Sequence, residues 1–279
     1  MKAFPDPNAF EALYPETPGK LRHGLVDHPL LRLESLVALA ARMRPGTVEY
    51  NRGNLPVGVA PDDRTIGNGL SVADTIRGIA TNGSWMVLKW VEQDEAYRAL
   101  LDAALDELAP VVSARTGPML KREAFVFVSS PGSVTPFHFD PEHNILLQIR
   151  GHKTMTIWSP GDDAVAPPEE HERFHAGGHR NLPWRDDFAG KGQAFDLAPG
   201  EGVHVPVKAP HWVRNGDAVS ISLSVTWRSG WSFAEADARA MNRLLRRSGL
   251  APASPPRWPR SDARKAYAWR ALRRLGVRQ

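Results

Sequence analysis

The segment TPFHFDPEHN (135–144) sets a histidine and an aspartate two residues apart, His138 and Asp140. On a β-strand such a pair shares one face, with side-chain bases about 6–7 Å apart at a rise of about 3.3 Å per residue. An imidazole and a carboxylate so placed can converge on one metal ion. A histidine from another strand would complete a 2-His-1-carboxylate facial triad, a donor set that suits non-haem iron(II) and leaves positions open for a chelating co-substrate and dioxygen. The chain contains no cysteine. Disulfides, thiolate zinc sites and iron–sulfur clusters are therefore excluded, and any metal must be held by His, Asp or Glu.

An H-x-D alone is weak, because most such pairs are surface pairs, but three further features strengthen this one. A distal histidine is available in GEGVHVPVKAPHWVRNGDAVSISLSVTW (200–227). His211 is preferred there, since it follows a proline-bounded turn and leads into the last long strand. His204, between two valines, reads as a barrel-wall histidine bonded to a neighbour. Lys153 follows Asp140 on the next strand, and a tight turn at Arg150–His152 would bring it back beside the metal. One buried cation there would match the far end of a dicarboxylate, although an exposed strand lysine is the commoner case. Finally, Thr135 and Asn144 bracket the pair, and Ser222, Ser224 and Thr226 alternate along the last strand. A barrel lined with hydroxyls needs water or a polar ligand inside it.

Those two stretches, 135–160 and 200–227, resemble the JmjC/cupin-like Fe(II)- and 2-oxoglutarate-dependent oxygenases, most of all their factor-inhibiting-HIF branch. H-x-D, then Asn144, then Q-I-R-G-x-K (148–153) follow that family's pattern position by position. The resemblance implies that His138, Asp140 and His211 bind Fe(II). Lys153 and Thr135 would hold the distal carboxylate of the co-substrate 2-oxoglutarate, and Asn144 would help at the end nearest the metal. It also implies hydroxylation of a C–H bond in a peptide, protein side chain or small metabolite. Two positions depart from the pattern. Where the family carries an asparagine on the last strand, this chain has Val225 or Thr226, and the family's tyrosine partner has no aligned counterpart in the N-terminal part.

Such a site needs a barrel to carry it. After residue 120, REAFVFVSS, NILLQIRG, KTMTIWS, GQAFDLA, EGVHVPV and AVSISLSVTW are short runs of β-formers punctuated by Gly, Pro and Asp, the signature of a sandwich or barrel. The expected fold is mainly β with flanking helices: a double-stranded β-helix (jelly-roll, cupin-like) barrel over 121–231. Residues 1–120 should pack on it, with a helix at 33–43, strands at 47–51 and 84–91, a serine-capped helix at 71–80 and one amphipathic helix over 94–112. Trp85, Trp90, Trp158 and Trp227 should be core, and Trp212, next to His211, should shape the pocket.

The polar, proline-punctuated insert 160–192 contains HERFH (171–175), a formal match to the zinc-protease motif H-E-x-x-H. It sits between Pro167-Pro168 and Gly177-Gly178 and lacks the usual third ligand, so a solvated or disordered loop, or one near the barrel mouth that governs substrate choice, is the better reading.

The 279-residue chain has a net charge of +4 and a pI of about 9.5, but the excess is local. Residues 232–279 carry twelve Lys/Arg against three Asp/Glu, a net of +9, which leaves −5 on residues 1–231. A helix over 232–249, with Phe233, Ala240, Met241, Leu244 and Leu245 as its apolar stripe, should pack on the barrel or on a second subunit as a homodimer. Beyond the stiff APASPPRWP linker, a basic helix reads first as a solvated counterweight to the acidic domain, ahead of nucleic-acid contact. The N-terminus lacks a signal peptide's apolar core and no run spans a bilayer, so a cytoplasmic protein without membrane contact is expected. The alternative to an enzyme is a catalytically silent cupin-like regulator that acts through its basic tail.

Overall fold

Alternating apolar and polar residues produce the strands, and the turns between them sort the strands into two sheets. The computed structural model describes residues 2–59 and 67–277, so Arg278 of the basic tail lies outside the described residues. The strands are β1 (Gly19–Arg22), β2 (Val48–Arg52), β3 (Ser84–Lys89), β4 (Leu120–Ser129), β5 (Val134–His138), β6 (His143–Arg150), β7 (Lys153–Ile157), β8 (Gln193–Leu197), β9 (Glu201–Val205), β10 (His211–Asn215) and β11 (Ser220–Arg228). The helices are α1 (Pro7–Leu13), α2 (Leu33–Ala40), α3 (Val72–Arg77), α4 (Glu95–Asp106), α5 (Ala109–Thr116), α6 (Pro168–His175), α7 (Gly230–Arg247) and α8 (Ala263–Arg274).

Seven strands order as β1-β9-β6-β11-β4-β3-β2 and four as β5-β10-β7-β8. The sheets face each other through Leu146, Val203 and Val205 from the larger and Met155, Phe195 and Val213 from the smaller. On its outer face the larger sheet presents Ile145, Leu147, Leu223 and Val225 to Leu36, Tyr97, Leu101 and Leu105 of the N-terminal helices. This is the expected double-stranded β-helix with flanking helices. Among the described residues no helix is long and apolar enough to cross a membrane.

The turn at Arg150–His152 is not a hairpin within one sheet. It carries the chain from β6 in the larger sheet to β7 in the smaller. Gly151 makes this crossing with φ of 71°, and a Cβ there would collide with the Val219 carbonyl oxygen. His211 likewise opens a strand of its own, β10, instead of leading directly into β11. The single helix expected over 94–112 is two, because Pro110 has no amide to donate and α5 begins afresh around it. Trp90 is not core: it adopts a left-handed backbone conformation as β3 ends and is 37% exposed.

The C-terminal region also differs from its sequence reading. The buried face of α7 is Trp231, Ser232, Glu235, Ala238, Arg239, Ala240 and Asn242; of the expected stripe Ala240 is buried, while Phe233, Met241, Leu244 and Leu245 are only half-buried. Charge can face inward here because Glu235 and Arg239 pair with each other at 2.9 Å. The basic helix is not free in solvent either. α8 lies along α7, buries Ala266 and Trp269, and ties Arg270 to Asp237 at 2.6 Å. The segment before it is fastened to the body by Arg257, whose Nε lies 2.8 Å from Glu16. We expect Trp269→Ala to cost about 3 kcal/mol in urea unfolding, as for a large aromatic removed from a packed site. A change under about 0.5 kcal/mol would mean that α8 is a solvated appendage.

Candidate metal centre

His138 and His211 stand directly opposite each other as β5 pairs with β10. Their ring centroids are 4.2 Å apart. His138 is the last residue of β5, and Asp140 lies past the strand end, not on it. The ladder is replaced there by two other bonds: Lys208 N–H donates to the Asp140 carbonyl at 2.7 Å, and Phe139 N–H to Arg180 O at 3.4 Å. Phe139 turns into an apolar cluster with Phe137 and Trp158, so its neighbours on either side face the opposite way, toward His211.

Each histidine is oriented by a backbone carbonyl. His138 Nδ1 lies 2.7 Å from Pro136 O and His211 Nδ1 lies 2.9 Å from Ala209 O. Both Nδ1 atoms must carry the proton, which leaves both Nε2 lone pairs free, and these atoms lie 3.9 and 3.6 Å from Asp140 Oδ2. These separations are too long for hydrogen bonds. Two metal–donor bonds of about 2 Å each would span them. Among the described residues this is the one cluster whose ligand atoms, all within 4.8 Å of one another, could hold a metal ion.

The protonation states also fit. Burial, reinforced by His211, pulls His138 down to about 3, and burial lowers His211 as well. Burial alone would raise the Asp140 carboxyl, but Arg180 and the two imidazoles hold it at about 2. At neutral pH the cluster is therefore two neutral imidazoles and one carboxylate. Arg180, which sequence reasoning passed over, ion-pairs with Asp140 Oδ1 and leaves Oδ2 to face the histidines. It reaches that position because residues 180–182 run beside β5: Asn181 bridges to His138, and Leu182 N–H donates to Phe137 O at 3.0 Å. No motif marks Arg180, since only the packing of the insert brings it there.

The insert is thus ordered structure. Val165, Ala166, Leu182 and Phe188 are buried against Phe137, Phe139 and Trp158. HERFH does form a helix, but its residues do not converge. His175 Nε2 lies 2.7 Å from Lys208 Nζ, Glu172 pairs with Arg246, and His171 packs on Phe139. A lysine ammonium against the second histidine removes the zinc-protease reading.

The other sequence candidates spread along the barrel. His204 faces the outer side of the larger sheet, edge-on to Phe10, with Nδ1 2.8 Å from Thr17 O. Thr135 pairs with Val213, and Trp85 Nε1, another group sequence reasoning missed, donates to its hydroxyl at 3.1 Å. Ser224 donates to Asn144 Oδ1 at 2.6 Å, and Thr226 donates to Glu123 O at 3.1 Å. Lys153 is buried at 6% exposure without a hydrogen-bond or ion-pair partner among the described residues, and burial pulls it down to about 7. It is not beside the triad. It pairs with Asn215, four residues along β10 from His211, roughly 13 Å at about 3.3 Å per residue. Trp212 points to the other face of β10 from His211, as strand alternation requires, and packs on the Phe137 cluster.

No protein-family model matches this chain. Among curated proteins, Jumonji C domain-containing protein 5 of Drosophila melanogaster is 30% identical over 102 residues, 34% of this chain and 25% of that one. Lysine-specific demethylase 8 of Danio rerio is 29% identical over 102 residues, with the same coverage. The match therefore spans about a quarter of these relatives' length. Among solved structures, Escherichia coli YcfD superposes over 97% of this chain and 67% of its own with a TM-score of 0.54 at 17% identity. A complex of the same ribosomal oxygenase with cobalt and 2-oxoglutarate covers 100% and 68% with a TM-score of 0.53 at 14% identity. The fold is the jelly roll of YcfD. In this barrel the His138–Asp140–His211 cluster sits at one end of the smaller sheet and Lys153 at the other.

Replacing His138, Asp140 or His211 with alanine should each abolish uptake of Co(II) in equilibrium dialysis, while His204→Gln should bind as the wild type does. Undiminished uptake by His211→Ala would remove this cluster as the metal site.

Proposed function

We propose that the chain is an Fe(II)- and 2-oxoglutarate-dependent oxygenase that hydroxylates a C–H bond of a peptide, protein side chain or small metabolite. The observation that carries this reading is that two neutral imidazole Nε2 atoms and one carboxylate oxygen lie within 4.8 Å of one another, with a buried lysine, unpartnered among the described residues, further along the same barrel. The solved relative with cobalt and 2-oxoglutarate has the same fold and supports it. Iron and 2-oxoglutarate, when bound, would supply the oxidising power: dioxygen is reduced as 2-oxoglutarate loses CO₂ to give succinate, and one oxygen atom passes to the substrate.

The chain's residues divide the work of binding. His138, Asp140 and His211 would hold the iron, and Arg180, by occupying one carboxylate oxygen, leaves Asp140 a single oxygen to give. Lys153 would meet the distal carboxylate. A buried amine whose charge is disfavoured by desolvation regains it beside an anion, so the site selects a dianionic co-substrate. Thr135 has its hydroxyl oxygen engaged by Trp85, which leaves its own proton free to donate to the same carboxylate. Asn144 has its oxygen engaged by Ser224, which leaves the amide NH₂ free to donate. Thr226 has already given its proton to Glu123 O and can only line the wall or accept. Within the family, the factor-inhibiting-HIF branch rests on the Q-I-R-G-x-K run that supplies Lys153.

Anaerobic loading with Fe(II) and 2-oxoglutarate, followed by air and succinate measurement across a peptide and metabolite panel, tests this function. The absence of both coupled and uncoupled succinate release would sink it. Because free Lys153 titrates near 7, binding of 2-oxoglutarate at pH 8 should take up close to one proton, read from calorimetry in buffers of different ionisation enthalpy. Lys153→Met should abolish that uptake and weaken 2-oxoglutarate by about 10- to 100-fold, with Co(II) binding unchanged.

A further inference from the structure

We propose that Glu235 on α7, acting through Lys208, is a positioning residue for the metal ligands, so that the C-terminal helix forms part of the metal site's scaffold. The inference rests on the metal-site reading above and extends it to residues outside the barrel.

The loop 206–210, between β9 and β10, serves both ends of the triad. Its Lys208 N–H holds the Asp140 carbonyl at 2.7 Å. Its Ala209 carbonyl lies 2.9 Å from His211 Nδ1 and sets that ring's orientation and tautomer. Its Pro210 carbonyl accepts from Trp158 N–H at 2.8 Å, which fastens the loop to the smaller sheet. Lys208 has φ of 60°, a backbone conformation L-residues rarely adopt. The loop keeps that conformation only if something outside it holds the residue.

That hold is the lysine's own side chain. Lys208 is 1% exposed, and its Nζ lies 2.6 Å from Glu235 Oε2 and 2.7 Å from His175 Nε2. Glu235 is itself fixed by Arg239 at 2.9 Å, one turn along α7. A buried lysine with two partners is a stiff strut, since losing Glu235 would strand a charge away from water and losing His175 would leave a buried donor unpaired. Through this strut a helix that touches no ligand determines where the Asp140 carbonyl and the His211 ring stand. Second-sphere partners of this kind commonly change metal affinity by about 10- to 100-fold.

The alternative is that Glu235 and Lys208 only stabilise the fold, as Glu172 does with Arg246 in joining α6 to α7. The two are separated by titrating Co(II) into metal-free protein, with calorimetric Kd, the visible d–d spectrum and the metal-free Tm recorded for each variant. Lys208→Met keeps the backbone N–H and leaves Glu235 paired with Arg239. Glu235→Gln keeps the shape and the acceptor for Arg239. Both should bind Co(II) about tenfold or more weaker than wild type, with an altered spectrum. Arg246→Ala should lower the Tm while leaving Kd and spectrum unchanged. Wild-type Kd and spectrum in Glu235→Gln overturn the proposal even if Lys208→Met does not fold. Equal weakening in Arg246→Ala overturns it too, since the effect would then be general stability. A wild-type protein that takes up no Co(II) defeats the metal reading itself, and the strut with it.

Discussion

Everything at the centre depends on two imidazole rings being held neutral and turned the same way. A histidine ligates through an unprotonated nitrogen, so the other nitrogen must carry the proton and have somewhere to put it. The chain meets this twice with one device: a carbonyl two residues upstream, Pro136 for His138 and Ala209 for His211. In both cases a proline lies in the two-residue span, Pro136 itself in the first and Pro210 in the second. Proline's fixed φ limits the ways the backbone can fold back toward its own side chain. With both rings so turned, Asp140 is the only remaining variable, and two elements distant in sequence fix it: Arg180 through its carboxylate and Lys208 through its carbonyl.

The inner face of the larger sheet follows a second constraint. Ser222, Ser224, Asn144 and Gln148 are all at most 5% exposed, a costly set to bury in an apolar barrel. They reduce that cost by pairing across β6 and β11, Ser222 with Gln148 at 2.7 Å and Ser224 with Asn144 at 2.6 Å. Each pair uses one hydroxyl proton and one amide oxygen. Lys153, on β7 of the smaller sheet, is buried as well and has no such partner among the described residues.

Much of this was legible in the amino-acid order because the barrel follows period-two alternation, which any strand must display to bury one face. His138 with Asp140 could be singled out that way, although Asp140 lies just past the strand end, and the glycine at 151 marked a turn but not that it crosses between sheets. His211 could be preferred to His204 because it follows a proline-bounded turn while His204 lies between two valines, and the register of His204 with Ile145, which faces the helices, agrees. What escaped reading was set by packing between distant segments. Trp85 meets Thr135, and Arg180 meets Asp140, only after the sheets close. β1, four residues long, is too short to show alternation, and β5 is hidden behind Pro136. In α7 the apolar stripe marked only Ala240 of the buried face, because Glu235 and Arg239 also go inward and compensate one another.

The same compensation changes the meaning of the basic C-terminus. A net +9 over residues 232–279 beside −5 elsewhere suggests a positive field open to a polyanion. Part of that charge lies against acids outside the segment, Arg246 on Glu169 and Glu172 and Arg257 on Glu16, while Arg239 and Arg270 pair with Glu235 and Asp237, which the net charge already counts. Three of these acids, Glu16, Glu169 and Glu172, belong to the N-terminal region and the barrel insert. The charge asymmetry between the two parts of the chain is therefore in part the record of an intramolecular interface, in which an acidic body and a basic helical hairpin are complementary surfaces of one domain. An isolated ion pair at a surface contributes little. The buried pairs near Lys208 differ, because a charge without its partner there would be costly, and the observed seating of α7 pairs Glu235 with both Lys208 and Arg239. Charge in this chain thus fixes where the C-terminal helices sit, and through Glu235 and Lys208 that position reaches the ligands.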